Sequence, residues 1–147
     1  MEKGLLKTIK NYWISLMEKK LPHYLPYEEK VIYLWRDEKT WWFRKDNIAL
    51  FVIFSPNPKG RNEFAIELGW SKKKRFPELP MRPFLSTKEE IANPEKYEEA
   101  TFRITGLREH QDGLGGFIRI SGKDYETVLD NQMKILLEQG VPYLEKL

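Results

Sequence analysis

The sequence predicts an α+β fold: an antiparallel sheet of about five strands flanked by an N-terminal and a C-terminal amphipathic helix. Three observations lead there. Apolar residues recur at helical spacing near both ends of the chain, which favours helices with one buried face. The middle, over residues 40–70, reads as strand, turn, strand, turn, strand, most simply an antiparallel meander. The chain has 147 residues, of which 41% are hydrophobic, so a single domain spanning 1–147 can bury a real core. Helices at the ends and strands in the middle argue for α+β with an antiparallel sheet.

The first helix is predicted from Leu5, Leu6, Ile9, Tyr12, Trp13, Leu16 and Met17, which form one wide apolar stripe. Lys19 and Lys20 suit the negative end of its dipole, and Pro22 and Pro26 stop it. A stripe this aromatic is expected to pack on a sheet instead of lying on a membrane surface. Residues 31–36, VIYLWR, read as a further strand or the end of a connector. Strands follow at 40–45, rich in aromatics, and at 48–54, an unbroken IALFVIF run that fits burial on both faces. Turn residues SPNPKG come next, with two prolines and a glycine. Phe64, Ile66, Leu68 and Trp70 then alternate with Glu63, Ala65, Glu67 and Gly69, which predicts one apolar face and one solvated face carrying two carboxylates.

After Trp70 the chain is expected to form a loop, irregular through Pro77, Pro80 and Pro83. Thr87 and Glu90 have the spacing of a capping box, and Asn93-Pro94 marks a second helical start. Strands are predicted at 101–105 and 117–120, joined by the glycine-rich stretch GLREHQDGLGG as a flexible hairpin connection. Ser121 and Asp124 resemble a cap for a closing helix lined by Tyr125, Val128, Leu129, Met133, Leu136 and Leu137. Gly140 then Pro142 should end that helix, with Tyr143 and Leu144 packing the tail back.

Composition narrows the function. The N-terminus lacks the apolar core of a signal peptide, and no run is long enough for a membrane helix. The chain has no cysteine, which excludes disulfides and thiolate chemistry and fits a reducing, cytoplasmic setting. Net charge is only +3, too small to imply nucleic acid by itself. Its distribution is uneven. Lys59, Arg61, Lys72, Lys73, Lys74 and Arg75 outnumber Glu63 and Glu67 in one segment, whereas 88–99 holds five glutamates against two lysines.

No catalytic set, metal site or cofactor site is expected. The glycine-rich stretch lacks the pattern of a phosphate-cradling loop and leads into a strand. His110 lies between Glu109 and Asp112, but with His23 the only other histidine, a zinc site is not expected. Asp46, Glu67 and Lys72 invite comparison with metal-dependent nucleases. Yet Lys72 is five residues past Glu67, and Glu63 and Glu67 are roughly 13 Å apart on a strand.

The N-terminal amphipathic helix, the Phe43-Arg44 pair, the apolar strand, the FAIELGW run and the Gly140-Val141-Pro142-Tyr143-Leu144 ending together resemble a broad group of small bacterial α+β domains of unknown function. The resemblance implies a fold and a bacterial or phage cytoplasmic origin, and no reaction. The Lys72–Arg75 tetrad lies outside that pattern.

The leading expectation is a non-catalytic protein-interaction or accessory module acting on another protein, from the many aromatics and the opposed charge patches. Substitutions at Trp41, Trp42 and Trp70 test whether those aromatics are at the surface, although Trp70 is expected to point with Phe64 and Ile66 into the core. The alternative is nucleic-acid binding through the basic residues Lys59, Arg61, Lys72, Lys73, Lys74 and Arg75. A second alternative is a metal-dependent hydrolase using Glu63, Glu67 or His110. A homodimer through an open sheet edge is also compatible with the sequence.

Overall fold

The chain is described here by a computed structural model, which covers residues 3–27, 40–57, 59, 61–73, 85–109 and 116–147. Helix α1 (Lys3–Lys20) opens it, followed by β1 (Leu25–Pro26), β2 (Thr40–Lys45), β3 (Ala49–Pro56) and β4 (Glu63–Ser71). Next come α2 (Lys88–Ala92), a 3-10 turn (Pro94–Lys96), β5 (Glu99–Arg103), α3 (Ile104–Glu109) and β6 (Ile118–Arg119). Helix α4 (Tyr125–Ile135) runs through a π-helical segment (Leu136–Gly140) into α5 (Val141–Glu145). This is the expected α+β architecture.

The sheet has the order β1-β2-β3-β4-β5, with every pairing antiparallel. The meander β2-β3-β4 is its centre. β3 is buried along its whole length, as an apolar run that cannot offer a polar face must be. β5 lies against Glu67 to Ser71 of β4, and β6 against Glu63 and Phe64 on the same edge. β5 and β6 therefore share one line beside β4, interrupted by the excursion that begins with α3.

One face of the sheet carries the main core. Trp42, Leu50, Val52, Phe54, Phe64, Ile66, Leu68, Trp70 and Phe102 pack with Ile9, Trp13 and Met17 of α1 and with Leu129, Met133, Leu136 and Leu144 of the C-terminal helix. The Trp13 ring meets Phe54 at 6.4 Å between centroids. A buried tryptophan of this kind stabilises by about 3–5 kcal/mol relative to alanine.

The opposite face differs from the sequence expectation. It is not solvated: Ala65 and Glu67 are each 2% exposed, and Ser71 is fully buried. Trp41, Phe51 and Ile53 form a second apolar cluster there. Glu67 lies 3.8 Å from the Arg103 guanidinium on the paired strand, and Arg103 sits 4.1 Å over the Phe117 ring. A carboxylate can be buried on a sheet when a cross-strand cation accompanies it. Alternation alone does not reveal that the polar positions have such a partner.

Four local readings are corrected. Residues 106–109, expected in a flexible connection, belong to helix α3, and β5 starts at Glu99, two residues before the expected strand. β5 and β6 do not form a hairpin with each other but each pair with β4. Gly140 and Pro142 do not end the closing helix. The π-helical segment carries it through, since wider hydrogen bonding relieves the clash between a proline ring and the preceding turn. Gly140 is needed by close packing: a Cβ there would meet methyls of Leu136, Ile104 and Leu68 at 3.0–3.1 Å.

Other readings hold. The Thr87–Glu90 capping box forms with both reciprocal hydrogen bonds. The tail packs back as expected: Leu144 is buried, Tyr143 stacks edge-on to Phe102 at 5.3 Å, and its hydroxyl donates to the Ile91 carbonyl at 2.7 Å. The strand read at 31–36 and the proline-rich stretch lie outside the described residues. No helix among the described residues is long and apolar enough to cross a membrane.

Candidate functional site

The three tryptophans on which a surface aromatic patch would rest are core residues: Trp41 is 5% exposed, Trp42 2%, and Trp70, on the apolar face of β4 as its alternation predicts, 0%. They cannot form an exposed aromatic patch. The basic residues are also rearranged. Lys59 and Arg61 lie before the start of β4, and Lys72 and Lys73 after its end, so the two groups are roughly 27 Å apart along a nine-residue strand. They form no single patch. Lys74, Arg75 and His110 lie outside the described residues.

Lys72 is engaged with the fold. Its ammonium donates to the Pro94 carbonyl at 2.7 Å and lies 5.5 Å from the Trp70 ring centre. Its backbone N–H donates to the Glu98 carbonyl. The acidic segment thus runs beside the start of the basic tetrad, as adjacent segments of opposite charge can.

The carboxylates considered for hydrolysis are separated and occupied. Glu63 accepts from the Asn57 amide at 2.9 Å, Glu67 is buried beside Arg103, and Asp46 pairs with Arg44 at 3.0 Å. Among the described residues, no three acidic or histidine side chains come together to hold a metal ion.

Two open grooves flank the C-terminal helix. The larger, of about 730 Å³, lies beside α2, with Ile91, Leu107, Pro142 and Tyr143 among its lining residues. Its charged rim is balanced, two lysines (Lys88, Lys146) against two glutamates (Glu95, Glu138).

The second groove, of about 540 Å³, lies between α1 and α4. Leu16, Met133 and Leu137 provide its apolar surface, and Lys19, Lys20 and Lys134 its cations. At one side the Tyr12 hydroxyl donates to Asp130 at 2.7 Å, and Tyr12 meets Tyr125 edge-on at 5.7 Å. The bond to the Asp130 carboxylate, with burial, raises the Tyr12 pKa to about 12. Tyr12 therefore remains a neutral donor, and Asp130 remains occupied, throughout the physiological range.

Leu137 is the feature that the sequence reading misplaced. Its place in a run of apolar residues puts it on the buried stripe with Met133 and Leu136. In the π-helical segment Leu136 stays fully buried while Leu137 is 36% exposed beside the groove. At about 100° per residue Leu137 lies about 100° around the helix from Leu136 and within about 20° of the exposed Glu126 and Asp130, at the margin of the stripe. Among the described residues, the other large apolar side chain this open to solvent is Leu25, at 55%. Leu25 sits on the short edge strand β1 beside Pro26, which cannot extend a ladder.

Compared with known proteins, the chain matches no family model, no curated protein and no solved structure.

Proposed function

We propose that this chain is a non-catalytic protein-interaction module that takes an amphipathic, acidic segment of a partner protein in the groove between α1 and α4. The observation that carries the reading is Leu137, 36% exposed beside an apolar floor with three lysines around it. Helix-in-groove recognition uses apolar anchors at helical spacing on such a floor. Three cations face two carboxylates, and one of those, Asp130, is held by Tyr12. An acidic flank on the incoming segment complements that rim and steers its approach. The cysteine-free chain supports a reducing compartment, and the resemblance to small bacterial α+β domains supports a bacterial or phage cytoplasmic setting.

The test is capture of a partner from host lysate by the tagged protein, with and without nuclease and at two salt concentrations. Leu137→Glu and a Lys19→Glu/Lys20→Glu/Lys134→Glu variant are compared with the parent, each checked for an unchanged melting temperature. One protein species should be retained by the parent and weakened at least tenfold, about 1.4 kcal/mol, by either variant. Retention by folded Leu137→Glu, or loss of capture on nuclease treatment, would overturn the proposal. Self-association of the purified chain that survives Leu137→Glu would instead make a homodimer through another face the better reading.

A further inference from the structure

Asn57, just past the end of β3, makes three hydrogen bonds to residues that follow it. Asn57 donates from its side chain to Glu63, accepts from the Lys59 N–H at 3.0 Å, and bonds through its backbone to the Glu63 carbonyl at 2.9 Å. Asn62 adopts φ 52°, a left-handed conformation that asparagine tolerates better than most residues. Lys59 and Arg61 are exposed in this connection between β3 and β4.

A second segment, about sixty residues further along the chain, meets it. Arg119 is opposite Glu63 in the β4–β6 register, and the Ile120 N–H donates to the Asn62 carbonyl at 2.8 Å. The chain then turns through Ser121, with the Lys123 N–H donating to the Ser121 hydroxyl at 3.3 Å. Arg119 and Lys123 are both exposed. The structure therefore brings four cations, Lys59, Arg61, Arg119 and Lys123, to one end of the sheet. None of the four side chains has a hydrogen-bond or ion-pair partner among the described residues.

Two carboxylates share these turns, and both are engaged. Glu63 accepts from Asn57. Asp124 accepts from the backbone N–H and the hydroxyl of Ser121, at 2.8 and 2.9 Å, which holds its carboxyl below the ordinary range. Among the described residues, four unpaired cations stand against two occupied carboxylates at this end, an excess of positive charge.

We infer that Lys59, Arg61, Arg119 and Lys123 form a binding site for the phosphodiester backbone of nucleic acid. Two of the four are arginines, whose planar fork matches phosphate oxygens in a bidentate way. Neither Leu25 nor Leu137, the large apolar side chains exposed among the described residues, belongs to this end, so among those residues it holds no anchor for a lipid surface or a peptide. Phe117, the ring just before β6, is already covered by Arg103. Recognition is then by charge on the backbone and independent of sequence. The site stands apart from the α1–α4 groove, since Asp124 and Leu137 are separated by about 20 Å of helix.

Fluorescence anisotropy of labelled duplex DNA and duplex RNA over a salt series tests this with the full chain. The parent should bind at low salt with a log–log salt slope of about −3 to −4, as four phosphate contacts require. Arg61→Ala/Arg119→Ala and Lys59→Ala/Lys123→Ala should each reduce the slope by about two. Lys7→Ala/Lys10→Ala, with the same loss of charge on α1, should leave it within half a unit. Equal effects of all three pairs would show diffuse charge and overturn the site, as would absence of binding to both duplexes at low salt. Tighter retention on anionic vesicles than on either duplex would also overturn it. Because no groove residue is altered, failure here leaves the protein-binding proposal standing.

Discussion

Replacing Gly69 by alanine probes the closest packing in the sheet. Gly69 sits mid-strand in β4, opposite Phe51 on β3 and Thr101 on β5. A Cβ built there falls on the Cε2 and Cζ atoms of the Phe51 ring, with Cδ2 at 2.8 Å. The ring is fully buried and lies 5.7 Å from Trp41, so a small tilt does not free the space. On backbone grounds alone alanine is favoured over a mid-strand glycine by about 0.5–1 kcal/mol. Overpacking a filled site costs about 1–3 kcal/mol, and displacing the ring altogether approaches the 3–5 kcal/mol of a Phe→Ala truncation. The expected net effect is a destabilisation of about 2 kcal/mol, or roughly 4–8 °C in melting temperature for a chain of this size. Guanidinium unfolding followed by tryptophan fluorescence measures it, within a cycle of Gly69→Ala, Phe51→Ala and the double variant. The double variant should be more stable than the sum of the singles by about 1 kcal/mol or more, because the new methyl occupies space the ring vacates. A neutral or stabilising Gly69→Ala, or strict additivity, would refute the claim that the ring rests on the glycine.

Two further expectations concern the helices and the alkaline limb. Tyr24 is 3% exposed, and burial raises its pKa from 10.0 to about 12. The folded state holds this proton more tightly than the unfolded chain, so its stabilisation is complete below pH 10 and is lost as pH rises toward 12. Stability should fall over that window by about 2–3 kcal/mol more in the parent than in Tyr24→Phe; parallel curves from urea titrations would exclude the assignment. Gly140→Ala should lower the melting temperature, although alanine in a helix is ordinarily favoured by about 1 kcal/mol. Three methyls from three different segments crowd the position. A rise in melting temperature would mean that they yield.

The fold class was legible because its signals are local and redundant. The stripe of Ile9, Trp13 and Met17 and the IALFVIF run each declare their element without reference to anything distant. What escaped depends on pairings between remote segments. Glu67 reads as a solvent residue because its alternation with apolar neighbours is visible, whereas Arg103, thirty-six positions on, becomes its neighbour only through the β4–β5 register. The basic residues count as one segment because they are close in sequence, but Lys59 and Arg61 lie at one end of β4 and Lys72 and Lys73 at the other. Arg119 and Lys123 join Lys59 and Arg61 by strand pairing that no local pattern announces. Leu137 was misplaced because a run of apolar residues reads as one stripe, although at about 100° per residue this position falls within about 20° of the exposed Glu126 and Asp130.

The shared line of β5 and β6 along β4 has a consequence for how the chain tolerates change. Arg103 is fixed opposite Glu67 and Arg119 opposite Glu63, each by pairing with β4 and neither by the chain between them. Length and register are thereby decoupled in this segment. Chain added before Gly116, which is exposed and has open space where a side chain would be, is absorbed without moving either half of the edge. The entropic cost of a longer closure rises by only about 0.6 kcal/mol per doubling. Variation in length can therefore accumulate at this gap while the cations on the far side of it keep their positions.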